Sequence, residues 1–119
     1  MKSVLVVFVF CAAALSAFGA QVVKLVREPG VVAFSLQKGF GIQKDARNEL
    51  TFTSVATGKP LKTVKVFTGT VAAEDKKYFS RLNAIDLPVN SGKVRVSGRI
   101  FYCSFEQKFC SVQKVDQEL

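Results

Sequence analysis

Beyond its first twenty or so positions the chain is built from short apolar runs, separated by turn-forming residues, in which apolar and polar side chains alternate with a period of two. Val22, Val23, Leu25 and Val26 open a β-type segment, "REPG" turns it, and "VVAFSL" from Val31 to Leu36 continues with the β-branched and aromatic enrichment of a strand. "QKGFG" interrupts the pattern with two glycines. In "ELTFTSV" the residues Leu50, Phe52 and Ser54 alternate, "ATGKP" follows as a turn, and "LKTVKVF" sets Leu61, Thr63, Lys65 and Phe67 against Lys62, Val64 and Val66. Four strands are therefore expected by Phe67. Gly69 to Lys77 holds helix formers without an apolar stripe, which predicts a helical turn or a long loop. Tyr78 to Leu87 is a further expected strand, ended by Pro88. "VNSG" then turns into the longest alternating segment, with Val94, Val96, Ile100 and Tyr102 on one side and Arg95, Ser97, Arg99 and Phe101 on the other.

Seven or so short strands in about a hundred residues, punctuated by Gly, Pro and Asn, predict an all-β fold: an immunoglobulin-like β-sandwich closed by a C-terminal two-cysteine hairpin. The antibody subtype does not fit. It joins two cysteines on strands far apart in sequence over a buried tryptophan, whereas this chain has no Trp and its late cysteines are local, within "GRIFYCSFEQKFCSVQKV".

The first residues change the picture by implying a compartment. "MKSVLVVFVFCAAALSAFGA" carries a lone Lys2, an apolar run from Val4 to Leu15, and small residues placed for cleavage before Ala20. That is the pattern of a secretory signal peptide over residues 1–19, with an apolar core of about twelve residues where a membrane span needs roughly twenty. Cys11 is expected to leave with it. One domain over residues 20–119 remains, periplasmic or otherwise exported. The full chain has 17 Lys and Arg against 9 Asp and Glu, and losing Lys2 lowers its net charge from +8 to about +7. The cations are scattered, as Lys62 and Lys65, Lys76 and Lys77, Arg95 and Arg99, so a soluble basic surface is expected and nucleic acid is not an expected partner.

Chemistry is bounded by what is missing. With no histidine, Ser-His-Asp and Cys-His catalysis and His-ligated zinc are excluded, and the two late cysteines are too few for a four-thiolate zinc or iron-sulfur site. "KGFGIQKD" lacks the spacing of a phosphate loop, and adjacent Glu74 and Asp75 are ordinary in a solvated turn. No metal and no small-molecule cofactor is expected. What is left is Cys103 and Cys110. The six residues between them fit a hairpin whose mouth brings the sulfurs together, so a disulfide is sterically reasonable. Closing so short a loop contributes only about 2 to 2.5 kcal/mol by chain entropy, while a pair at a hairpin tip is open to an attacking thiolate. Arg99 and Lys108 would favour a thiolate and Glu106 would oppose it. Phe101, Tyr102, Phe105 and Phe109 would either shield the sulfurs or simply pack the hairpin.

Three stretches, in order, carry a resemblance: "VVAFSLQKGFGIQKDARNELTF", "LPVNSGKVRVSGRIFYC" and the two-cysteine hairpin. Together they resemble the N-terminal periplasmic domain of the thiol:disulfide interchange protein DsbD and its stand-alone and fused relatives. The resemblance implies an immunoglobulin-like sandwich in which Cys103 and Cys110 form the redox pair. It implies that they take electrons from a membrane-embedded partner and pass them to thioredoxin-like or disulfide-isomerase proteins, and that Cys110 forms the mixed disulfide. The chain departs from the family in three ways. Its cysteine spacing is one residue longer, "SVQKVDQEL" lacks the prolines that follow the second cysteine, and the aromatic cap loop has only Phe67 and Tyr78 as candidates within its expected span. Because the sequence stops nine residues past Cys110, the expected partner is a separate thioredoxin-like or membrane-embedded thiol-disulfide protein, and the chain is expected to be a monomer.

Two functions follow. One is an exported thiol-disulfide interchange module working through Cys103 and Cys110. The other is a non-catalytic extracytoplasmic binding or structural module of the same fold, whose disulfide only locks the hairpin.

Overall fold

Alternating sequences bury one face of each strand, and two such faces must cover each other to leave water. A computed structural model, which describes residues 21–88 and 92–119, shows this arrangement: ten β-strands, all paired antiparallel, and no helix among the described residues. The signal peptide expected over residues 1–19, and all but Gly92 of the turn expected at 89–92, lie outside the described residues.

The smaller sheet has the order β1 (Val23–Glu28), β2 (Val31–Leu36), β8 (Ile85–Asp86). The larger sheet is organised around the eleven-residue β9 (Val94–Ser104). Along one side of β9 runs β10 (Phe109–Glu118), paired from Ser104 down to Arg95. Along its other side lie two strands end to end, β4 (Glu49–Ser54) against Val94 to Arg99 and β3 (Phe40–Gln43) against Tyr102 to Ser104. Outside these, β5 (Pro60–Val64) extends β4, while β7 (Tyr78–Leu82) and β6 (Gly69–Val71) extend β3.

The chain leaves the sheet between β3 and β4, which would strand backbone groups of β9. Asn48 closes the gap: its Oδ1 accepts the Phe101 N–H at 2.7 Å and its Nδ2 donates to the Gln43 carbonyl at 2.7 Å. Buried at 4% exposure, this amide supplies rungs that a strand residue would have made.

The two sheets form a curled, sandwich-like pair. Leu50 and Phe52 of β4 and Val94, Val96 and Ile100 of β9 are buried on alternate positions and join one cluster with Val23, Leu25 and Val32 of the smaller sheet. Each such side chain contributes about 1.5–3 kcal/mol by leaving water. A polar tie supplements this packing. Gln113 of β10 accepts the Val23 N–H through Oε1 at 3.0 Å and donates through Nε2 to the Val23 carbonyl at 2.8 Å, joining the sheets.

The all-β class and the layered arrangement agree with the sequence pattern, and four local expectations are corrected. Of the helical turn or long loop expected over 69–77, the loop is found, at 72–77, but it is preceded by strand β6 (Gly69–Val71); the Lys77 N–H donates to Asp75 Oδ1 at 2.9 Å. Without an apolar stripe to bury, that stretch has nothing to hold a helix against the core. The single strand expected from Tyr78 to Leu87 is two, since the chain crosses between sheets at Asn83 and Ala84. Its buried residues Phe79, Leu82, Ile85 and Leu87 break the period of two, the trace of that crossing. The glycine-flanked "FGIQ" is strand β3 rather than an interruption. Finally, β5 ends at Val64, and Val66 stands 82% exposed.

Candidate redox site on the β9–β10 hairpin

The hairpin tip is a four-residue loop, Phe105 to Lys108, between Ser104 and its register partner Phe109. The Lys108 N–H donates to the Ser104 carbonyl at 2.9 Å and the Gln107 N–H donates to Ser104 Oγ at 3.1 Å, so one serine holds both ends of the turn. Lys108 adopts φ 56°, the left-handed conformation that lets a loop of this length return to the ladder.

Cys103 and Cys110 face each other directly in the register of β9 and β10 and are joined by a disulfide, with their Cα atoms 3.9 Å apart. The hydrogen-bond phase explains the close approach. Val94 and Leu119 exchange both backbone bonds across β9 and β10, at 3.2 and 2.7 Å, so even-numbered residues of β9 bond to β10 and odd-numbered ones bond away from it. In agreement, the N–H groups of Phe101 and Phe105 go to Asn48 and Gly39, on the side of β3 and β4. Cys103 with Cys110 is therefore a non-hydrogen-bonded pair, the kind in which side chains come closest.

Strand alternation puts the disulfide on the outer face of the larger sheet, opposite the face that carries Val96, Ile100 and the core. The sulfur-bearing residues differ sharply in cover. Cys103, on the central strand, is 4% exposed, whereas Cys110, on the edge strand, is exposed. Gly41 of β3 is the register partner of Cys103 on its other side and shares its face. A Cβ there would sit 2.5 Å from Phe105 Cζ and 2.9 Å from Tyr78 Cβ, so the absence of a side chain at position 41 makes the seat for these aromatics. The Phe105 and Tyr78 rings meet edge to face at 5.5 Å.

Of the four hairpin aromatics, Phe101 and Phe105 lie on the disulfide's face. Tyr102 lies on the other face, edge to face with Phe40 at 5.7 Å, and Phe109 follows the same parity. Of the two cap candidates, Tyr78 is brought to the disulfide's face through its pairing with Gln43, while Phe67 packs on Phe34 of the smaller sheet at 6.3 Å. Two residues along the face from the disulfide, Phe101 opposes Val112, and two further on Arg99 opposes Lys114. Glu49 flanks Arg99 on its other side. Gly41 was hidden in the sequence by its place in an apparent break, and only its spacing from Phe40 and Ile42 hints at a strand.

Chemically, the arrangement holds one disulfide with a covered sulfur residue inside the sheet and an open one at the edge. No protein-family model, curated protein or solved structure matches the chain.

Proposed function

We propose that this chain is an exported thiol-disulfide interchange module of immunoglobulin-like architecture, related to the DsbD N-terminal domain, which exchanges electrons with a separate thioredoxin-like or membrane-embedded dithiol protein. The observation that carries the reading is the asymmetry of the pair: Cys110 is exposed on an edge strand, while Cys103 is buried in the sheet next to Gly41, against which Phe105 and Tyr78 pack. A partner thiolate attacks Cys110 Sγ, the bond to Cys103 breaks, and Cys103 leaves as a thiolate that takes up a proton. The partner's second thiol then attacks its own sulfur in the mixed disulfide, releasing Cys110. The partner is oxidised to a disulfide and this chain gains two electrons and two protons. Run in reverse, the same steps pass the electrons on. An oxidising compartment, the periplasm or another exported location, is part of the proposal, because a disulfide persists there.

A purely structural lock is the second reading, and the direct cross-strand placement of the cysteines favours it, since that geometry also suits a staple. Trapping separates the two. Cys103→Ser lacks the resolving sulfur and should accumulate a reducible adduct with one or a few extracytoplasmic thioredoxin-like proteins, whereas Cys110→Ser should accumulate far less. Adducts with small thiols alone, together with a potential below about −300 mV, would make the disulfide a lock.

A further inference from the structure

The alternation that places the disulfide also fixes which backbone groups of β10 point away from the protein. Odd-numbered residues from Phe109 to Leu119 bond to β9, so the N–H and C=O of Cys110, Val112, Lys114, Asp116 and Glu118 lie along the free edge. This edge contrasts with the others. β5, β6 and β8 are short, the pairings β4–β5 and β6–β7 each contain a register shift, and Val23 at the start of β1 is occupied by Gln113. β10 is ten residues long, with no proline, glycine or register shift, and its free edge starts at Cys110, an exposed residue. At the β10 edge the nearest charge is positive: Lys114 directly opposes Arg99 on the outer face and forms no ion pair among the described residues, Glu49 lies beyond Arg99 on the side away from the edge, and the acidic residues Asp116 and Glu118 are held by Arg95 and Lys93.

We propose that the dithiol partner docks by adding an extended, acidic segment to the edge of β10, antiparallel to Cys110–Lys114, which aligns its reactive sulfur with Cys110 and sets a carboxylate opposite Lys114. The inference deepens the exchange reading and rests on it. Main-chain bonds to Cys110, Val112 and Lys114 supply affinity independent of partner sequence, and the carboxylate relieves the Arg99–Lys114 repulsion.

The test uses the Cys103→Ser protein and a synthetic peptide of β-forming residues. Its cysteine carries a thionitrobenzoate leaving group and an aspartate stands four positions before it. Attack by the Cys110 thiolate forms the protein–peptide disulfide and expels thionitrobenzoate, which is read by absorbance. The peptide should react about tenfold faster than a copy N-methylated at alternate backbone positions, and a copy with lysine in place of aspartate should lose much of the advantage. Val112→Pro removes a donor only from the free edge and leaves every rung to β9, so its melting should match the parent protein while the tenfold advantage disappears. Equal rates for the plain and N-methylated peptides, or a Val112→Pro protein that keeps the advantage, would overturn the docking mode. A Cys103→Ser protein that sediments as a dimer, dissociated by Val112→Pro, would assign the edge to a second copy of this chain and overturn it equally. Failure of the exchange reading shows separately, as a wild-type disulfide that glutathione does not reduce.

Discussion

Single side chains here take over tasks usually done by runs of backbone. Asn48 is the clearest case, because removing it orphans the Phe101 N–H and the Gln43 carbonyl together. An unsatisfied buried group costs about 1–3 kcal/mol, and because both bonds are only part-buried the lower part of that range applies, so Asn48→Ala should lower stability by roughly 2–4 kcal/mol. At about 4–8 °C per kcal/mol for a domain of this size, its melting temperature should fall by about 8–30 °C in a calorimetric or circular-dichroism melt. A drop of only a few degrees would mean that water replaces the amide. Gly41 acts in the opposite sense, through the side chain it lacks. Gly41→Ala pushes a methyl into Phe105 and Tyr78, so the aromatic pair seated over the register partner of Cys103 must shift, and a small dithiol should reduce the disulfide faster. Phe105→Ala should accelerate reduction in the same way without the clash. If both variants react at the wild-type rate, the aromatic pair does not limit access.

Among the elements, the β9–β10 hairpin is held mainly by its ladder and by Gln113, with the disulfide as an addition. Cys103→Ser and Cys110→Ser should therefore each remain folded and lose about 2 to 2.5 kcal/mol, about 8–20 °C in melting temperature. Complete unfolding of either would mark the cross-link as indispensable and move weight to the lock. Much of this hairpin was legible in the sequence. The alternation of Val94, Val96 and Ile100 marks a strand buried on one face, and the spacing of Cys103 and Cys110 fits its mouth. What escaped was length and context. A period of two says which face is buried but not which strand lies alongside, so neither the full run of β10 nor the end-to-end seating of β3 and β4 on β9 could be read. Gly41 and Asn48 looked like turn residues because glycine and asparagine are common in turns. Their roles depend on neighbours about fifty or sixty residues away, at Phe101 and Phe105.

For the whole molecule, the proposed compartment leads to a measurement on the exported protein. Intact mass should show loss of about nineteen residues and of the two hydrogens removed by one disulfide, with Cys11 gone. A product retaining Cys11, or carrying both later thiols free, would undo the proposal of an exchange module in an oxidising space.

The central position of β9 sets the order in which the protein can be assembled. The strand on which β3, β4 and β10 all pair follows β1 to β8 in the sequence, so every residue before Val94 is made before that template exists. Until Val94–Ser104 arrives, β3 and β4 have unpaired edges and Leu50 and Phe52 lack their core neighbours Val94, Val96 and Ile100. Folding of the larger sheet is thus a late, long-range event. It belongs with the slow, non-local β topologies that take milliseconds to seconds rather than with structures that form as they emerge. Over that interval the unfinished sheet is the species most exposed to aggregation, and to premature oxidation of Cys103 before Cys110 stands opposite it.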